Sequence, residues 1–130
     1  MAGIVDSHVH FWDPEVLHYP WLTGAPSLDR AFLPTDYAAA TGPIPIDRMV
    51  FVEANCRPDE AGREVEFVER LAQGEPRVAG IVAFVDLTDS RTAGRQLDAL
   101  AACPRVKGIR HNVQGQPAGF CRQRDRKSVV

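Results

Sequence analysis

Val5-Asp6-Ser7-His8-Val9-His10-Phe11-Trp12-Asp13 is a short apolar run that delivers two histidines one residue apart. Side chains alternate faces along a strand, so His8 and His10 point the same way if the run is a strand, roughly 7 Å apart along it. Two imidazoles on one face can share a metal ion or a substrate. Three further runs share the character of this one. Residues 4–11, 49–54, 78–87 and 106–113 are all rich in Val, Ile and Phe, and the second and third are nearly continuous in apolar residues. Strands covered on both faces, as in parallel sheets, read this way.

Helical patterns separate the strands. Residues 58–73 place Ala61, Val65, Val68 and Ala72 on one stripe, with Glu64, Glu66, Glu69 and Arg70 mostly elsewhere. Pro58 suits a first turn and Gly74 a C-terminal stop. Residues 90–102 form a second helix with Ala93, Leu97, Leu100 and Ala101 as its stripe. Asp89 or Ser90 can cap its start, and Pro104 follows its end. A shorter helix is predicted over residues 34–40. Residues 13–30 read as an ordered excursion, because Leu17, Tyr19, Trp21 and Leu22 need burial. Strands alternating with helices imply an α/β fold with parallel pairing.

With 130 residues the chain has enough length for one domain with a real core. A net charge of −2 creates no strong field for nucleic acid or an anionic membrane. The balance is uneven. Residues 122–127 carry four positive charges and one negative, leaving −5 on the rest. Such a tail is expected to be solvated, not bound to nucleic acid. Cys56, Cys103 and Cys121 cannot all pair within the chain, and their spacing fits neither a disulfide framework nor a zinc knuckle. Reduced thiols in a cytoplasmic protein are the simplest expectation. The start of the sequence lacks a signal-peptide pattern, and no apolar run approaches the roughly 18 residues that span a bilayer.

In a closed parallel barrel the active site collects at the C-terminal ends of the strands. The notable polar residues fall there: His8 and His10 on the first run, Glu53 on the second, Asp86 on the third, Arg110 and His111 on the fourth. Imidazole and carboxylate are ligands for zinc-like ions. An arginine fork suits a carboxylate or a developing oxyanion. Plainer roles compete for the same residues. Glu53 can be a hydrogen-bonded strand end, and Arg110 a structural ion-pair partner. Asp86 reads first as the cap of the helix that follows. His18, beside Tyr19, reads as packing, and Trp12 and Trp21 as core or rim packing.

The pattern resembles the amidohydrolase-2 family. Residues 5–14, then Tyr19-Pro20-Trp21-Leu22 and Phe32-Leu33-Pro34-Thr35-Asp36-Tyr37, look like its opening. The likeness continues through Val50-Phe51-Val52-Glu53-Ala54, Gly80-Ile81-Val82-Ala83 and Val106-Lys107-Gly108-Ile109-Arg110-His111-Asn112-Val113-Gln114-Gly115. The branch it resembles is that of the sugar lactonases, with L-fuconolactonase-like and 2-pyrone-4,6-dicarboxylate lactonase-like enzymes. The resemblance implies a TIM-type (β/α) barrel that opens a lactone ring to a hydroxy acid. It implies a catalytic set of His8, His10, Arg110 and His111, with substrate contacts from Glu53, Arg110 and His111. One divalent, zinc-like ion on His8, His10 and Glu53 goes with it, although metal-independent relatives exist. The partner is a small lactone or carboxylate. An aromatic-acid decarboxylase of the same superfamily is the alternative reaction.

A whole barrel of this type takes about 250 residues, and this sequence holds four strand runs. The family's final-strand aspartate, the proton acceptor, has no counterpart here. The expectation is therefore a partial barrel over residues 1–121, the N-terminal half, with little or no activity by itself. Residues 122–130 lack an apolar stripe and are expected to be a disordered or frameshifted tail. Exposed barrel edges would favour a homo-oligomer. A non-catalytic fragment that binds a metal, or a chain carrying the other half, is the further alternative.

Overall fold

The computed structural model describes residues 3–122. Four strands form one sheet in the order β1-β2-β3-β4, every neighbouring pair parallel. They are β1 (Ile4–Val9), β2 (Ile46–Val52), β3 (Val78–Phe84) and β4 (Val106–Arg110). The helices are α1 (Pro34–Thr41), α2 (Ala61–Gly74) and α3 (Ser90–Leu100). This is the α/β arrangement expected, four consecutive parallel strands of a partial TIM-type barrel. The tail expected over residues 122–130 lies, from residue 123 on, outside the described residues.

Every strand stops earlier than its apolar run. β1 ends at Val9, β2 at Val52, β3 at Phe84 and β4 at Arg110. The last residues of each run turn off the ladder to form the rim. β2 begins three residues earlier than the sequence suggested, at Ile46, because Ile4 pairs with it across the polar pair Asp47-Arg48. Pro58–Glu60 is a separate 3-10 turn, and α2 proper starts at Ala61.

The core lies where α2 packs on the sheet. Val65, Val68 and Ala72 meet Met49, Phe51, Val78, Ile81 and Ala83, all buried. Each large side chain buried there contributes about 1.5–3 kcal/mol. Residues 13–30 close over one end of this core. Leu17, Tyr19 and Leu22 are buried, and the excursion is tied off by a backbone bridge between Trp12 and Phe32. Phe11 stacks on Phe51, with ring centroids 6.3 Å apart.

Two helix expectations change. Glu64 is not on the solvent side of α2; it is 1% exposed. The α3 stripe is thin: Leu100 packs against the core, but Leu97 is exposed. The start of α3 is capped by Asp89, whose Oδ2 accepts from Thr92 N at 3.1 Å. Asp86 is therefore not the cap. Its Oδ1 instead closes a tight turn on Thr88 N and Oγ1, at 2.9 and 2.6 Å. Among the described residues no helix is long and apolar enough to cross a membrane.

Candidate active site

The C-terminal ends of the four strands carry the predicted residues, and β1 positions its histidines by an irregularity. Asp6 pairs with Met49 and Val9 with Phe51, three steps on β1 against two on β2. The extra residue is a bulge, which re-aims side chains. Asp6 holds it in place. Its Oδ1 accepts from His8 N at 3.1 Å, and its Oδ2 accepts from Tyr37 Oη at 2.8 Å. Burial and this carboxylate push the Tyr37 phenol up to about 12.

The consequence is that His8 Nε2 and His10 Nε2 converge to 3.1 Å. His10 Nδ1 donates to Val52 O at 2.7 Å. That bond leaves the Nε2 of neutral His10 with its lone pair, so His8 Nε2–H is the donor between the two rings. Burial lowers the His10 pKa below its ordinary 6.5; the Val52 bond opposes this, and the neighbouring His8 and Arg110 reinforce it. This favours the neutral form of His10, the form that binds metal.

Glu53 follows β2 and is 1% exposed. Arg110, the last residue of β4, donates from Nε to Glu53 Oε1 at 2.7 Å and from Nη2 to Glu53 O at 2.8 Å. Glu53 Oε2 accepts from Asn55 N at 2.8 Å. Asn55 sits at φ 53°, in the left-handed region. Asparagine tolerates that conformation better than most residues, and such strain concentrates at functional sites.

His8, His10, Arg110, Trp12, Trp21, Asn55, Asn112 and Gln114 line one cleft of about 440 Å3. Trp21 Nε1 donates to Ala54 O at 2.8 Å, and Trp12 packs edge-on against Trp21 at 5.4 Å. The two tryptophans are rim packing that also walls the cleft. His111 is elsewhere, with its ring between Phe84 and Phe120, at 5.1 Å from each. Its Nδ1 accepts from Leu87 N at 3.0 Å and lies 3.7 Å from Asp86 Oδ1. The rim is thus divided. His8, His10 and Arg110 share one cleft, whereas Asp86 and His111 share a second. His18 does not pack; its side chain is 76% exposed, and its backbone N donates to Glu60 Oε2 at 2.7 Å.

Sequence reasoning missed Glu64. Its Oε1 accepts from Ala54 N at 2.9 Å, behind the cleft. Among the described residues its Oε2 and the Tyr19 hydroxyl are both buried without a hydrogen-bond partner. Burial pushes Glu64 up to about 7 and raises the Cys56 thiol beside it. The one sequence signal was a glutamate between Ala61 and Val65 on the buried stripe.

Geometry can be compared with the needs of a zinc-like ion. Two nitrogens each about 2.0–2.1 Å from one zinc at a tetrahedral angle stand roughly 3.3 Å apart. The 3.1 Å between His8 Nε2 and His10 Nε2 is close to that separation, and His10 has the carbonyl partner typical of a metal-bound imidazole. These two nitrogens fit once the His8 proton moves from Nε2 to Nδ1, which frees both Nε2 lone pairs for the ion. Glu53 is committed to Arg110 and Asn55, and among the described residues no group of three His, Cys, Asp or Glu side chains is placed to hold one ion.

A family model described as amidohydrolase matches residues 5–127. The chain belongs to the amidohydrolase family. An L-fucono-1,5-lactonase of Burkholderia multivorans is 29% identical over 113 residues, which cover 86% of this chain and 36% of the lactonase. An uncharacterized protein, y4mH, of Sinorhizobium fredii is 25% identical over 85% of this chain and 40% of its own length. An amidohydrolase from Burkholderia multivorans solved with bound zinc superposes at a TM-score of 0.64, with 28% identity, over 94% of this chain and 44% of that one. A structure of a Burkholderia multivorans amidohydrolase with bound HEPES gives a TM-score of 0.67 at 29% identity, over 88% of this chain and 38% of that one. This amidohydrolase chain therefore spans less than half the length of these relatives.

Proposed function

We propose that this chain carries the metal-binding and carbonyl-binding part of a lactone hydrolase, acting on a sugar lactone or pyrone dicarboxylate. The observation that carries the reading is the convergence of His8 Nε2 and His10 Nε2 at 3.1 Å, beside Arg110 in one cleft. The lactonase relative and the zinc bound in a neighbouring structure support it.

His8 and His10 would hold a zinc-like ion. Such an ion supplies Lewis-acid polarisation of a carbonyl and makes water more acidic. The chain's own residues bind and orient. Val52 O fixes the His10 ring, and Asp6 fixes the bulge that presents His8. Arg110 is held on two sides by Glu53 and lines the cleft, so its remaining N–H groups can meet a lactone oxygen or a substrate carboxylate. Trp12 and Trp21 wall the cleft. In the overall reaction water oxygen bonds to the lactone carbonyl carbon, the ring C–O bond breaks, and the ring oxygen takes a proton to give the hydroxy acid. Among the described residues no carboxylate lines this cleft to take the proton from water, so ligand binding without robust turnover is the outcome for the chain alone.

Zinc titration by calorimetry tests the reading, with lactone turnover followed in parallel. One zinc per chain is expected, with affinity at least about tenfold weaker in His8→Ala and in His10→Ala. Zinc uptake unchanged in both variants would overturn the proposal.

A further inference from the structure

Asp86 and His111 stand at the same rim as the histidine pair but play no part in its cleft. They line a second cleft of about 320 Å3 together with Phe84, Phe120, Thr88 and Asn112. Asn55 and Asn112 line both clefts, so the two adjoin across the ends of β2 and β4. Arg110 and His111, consecutive in sequence, serve opposite ends of this trough.

The second cleft has a defined donor and acceptor set. His111 Nδ1 accepts from Leu87 N at 3.0 Å, so the proton of the neutral ring is on Nε2, which is a donor. Asp86 spends Oδ1 on Thr88, and among the described residues its Oδ2 has no hydrogen-bond partner. Asn112 Oδ1 accepts from Gln114 N at 3.0 Å, leaving its Nδ2 as a donor. Phe84 and Phe120 supply apolar walls on both sides of the His111 ring. Among the described residues no lysine or arginine lines this cleft, and the fixed charge they give it is the Asp86 carboxylate.

We propose that the Asp86–His111 cleft is a binding subsite for a neutral, hydroxyl-bearing sugar-like group, and that it rejects anionic groups. A carboxylate oxygen accepts from a hydroxyl, imidazole N–H and amide donors meet hydroxyl oxygens, and aromatic walls pack against the C–H face of such a ring. A carboxylate placed there would face Asp86 with no cation among the described lining residues to pair with, a repulsive element that confers selectivity. Resting on the reading of the first cleft as the carbonyl end, this assigns the trough to a neutral polyol lactone over a dicarboxylate. His8, His10 and Arg110 take the carbonyl, and Asp86 and His111 the hydroxyl-bearing remainder.

The test is a two-dimensional NMR titration of the 130-residue chain with two probes, methyl β-galactoside and pyridine-2,6-dicarboxylate. The sugar is expected to shift the resonances of His111, Asn112 and Thr88, and the dicarboxylate to leave them unmoved. Asp86→Asn should weaken the sugar and relieve the rejection of the anion, reducing the ratio of their affinities about tenfold or more. His111→Phe keeps the aromatic packing and should weaken the sugar alone. His8→Ala should leave sugar binding at the second cleft unchanged, so loss of zinc binding and loss of this subsite are read separately. Each variant is first checked for the parent's dispersed spectrum. Sugar-induced shifts confined to His8, His10 and Trp12, an unchanged affinity ratio in Asp86→Asn, or dicarboxylate binding at His111 in the parent would each overturn the assignment.

Discussion

Arg110 Nε meets Glu53 Oε1 at 2.7 Å between the ends of β4 and β2, with the carboxylate 1% exposed and the guanidinium side chain 27% exposed. One ion pair therefore joins two strands that are not neighbours in the sheet, since β3 lies between them. It also aims the guanidinium at the rim, so the residue that makes this structural contact also lines the cleft with His8 and His10.

Removing the cation alone should be costly. Arg110→Met leaves Glu53 buried and unpaired, a loss of about 3–5 kcal/mol. The double variant Glu53→Gln/Arg110→Met should recover much of it, because no uncompensated charge remains. Urea unfolding of the single and double variants measures both. A single variant within 1 kcal/mol of the parent, on the order of a surface pair, would show the pair to be solvated.

Glu64 gives stability a pH dependence. Its pKa rises from 4.5 to about 7 on folding, with burial the main cause. The folded state holds the proton more tightly, so the contribution is fully present below pH 4.5 and is lost as pH rises through 7. Glu64→Gln cannot titrate. The stability of this variant relative to the parent should grow by roughly 3 kcal/mol between about pH 4 and about pH 9. Chemical denaturation across that range reads the slope; a constant difference would mean that Glu64 ionises normally.

Asn55 is the described non-glycine residue with positive φ, at 53°. A β-branched side chain is strained there, so Asn55→Val should cost about 1–3 kcal/mol, whereas Asn55→Gly should be close to neutral. Thermal melts of the two variants compare them directly. Equal losses would place the cost in the lost amide and not in the backbone.

Asp89 caps α3 through Thr92 N and Thr92 Oγ1, at 3.1 and 2.6 Å. Asp89→Ala should cost about 1 kcal/mol, and Asp86→Ala should leave the stability of α3 unchanged because Asp86 does not touch the helix start. Hydrogen exchange at the first turn of α3 separates the two, and protection lost in Asp86→Ala would reverse the assignment.

Strand identity was legible because β2 and β3 are nearly continuous apolar runs, and α2 because Val65, Val68 and Ala72 recur at helical spacing. Strand ends were not legible. Apolar residues such as Phe11 and Ala54 continue past β1 and β2 and are buried without belonging to those strands. The rim residues were found by placing them at strand ends, and His8, His10, Glu53 and Arg110 do gather at one place. His111 was placed with them because it follows Arg110, but successive residues point apart, and its ring went to Phe84 and Phe120. Glu64 was hidden because a carboxylate on a helix reads as solvent-facing until the backbone N–H that it will meet is known.

The sequence by itself determined the alternation of strands and helices, the parallel sheet and the amidohydrolase lineage, because apolar periodicity and local motifs are properties of consecutive residues. Only the tertiary structure decided which polar groups meet. The bulge held by Asp6 brings His8 Nε2 to 3.1 Å from His10 Nε2, Arg110 closes on Glu53 across 57 residues of chain, and His111 turns to a cleft of its own. Hydrogen bonds and ion pairs form over about 3 Å, a distance that residues far apart in sequence reach only once strand register and packing have fixed where each side chain points.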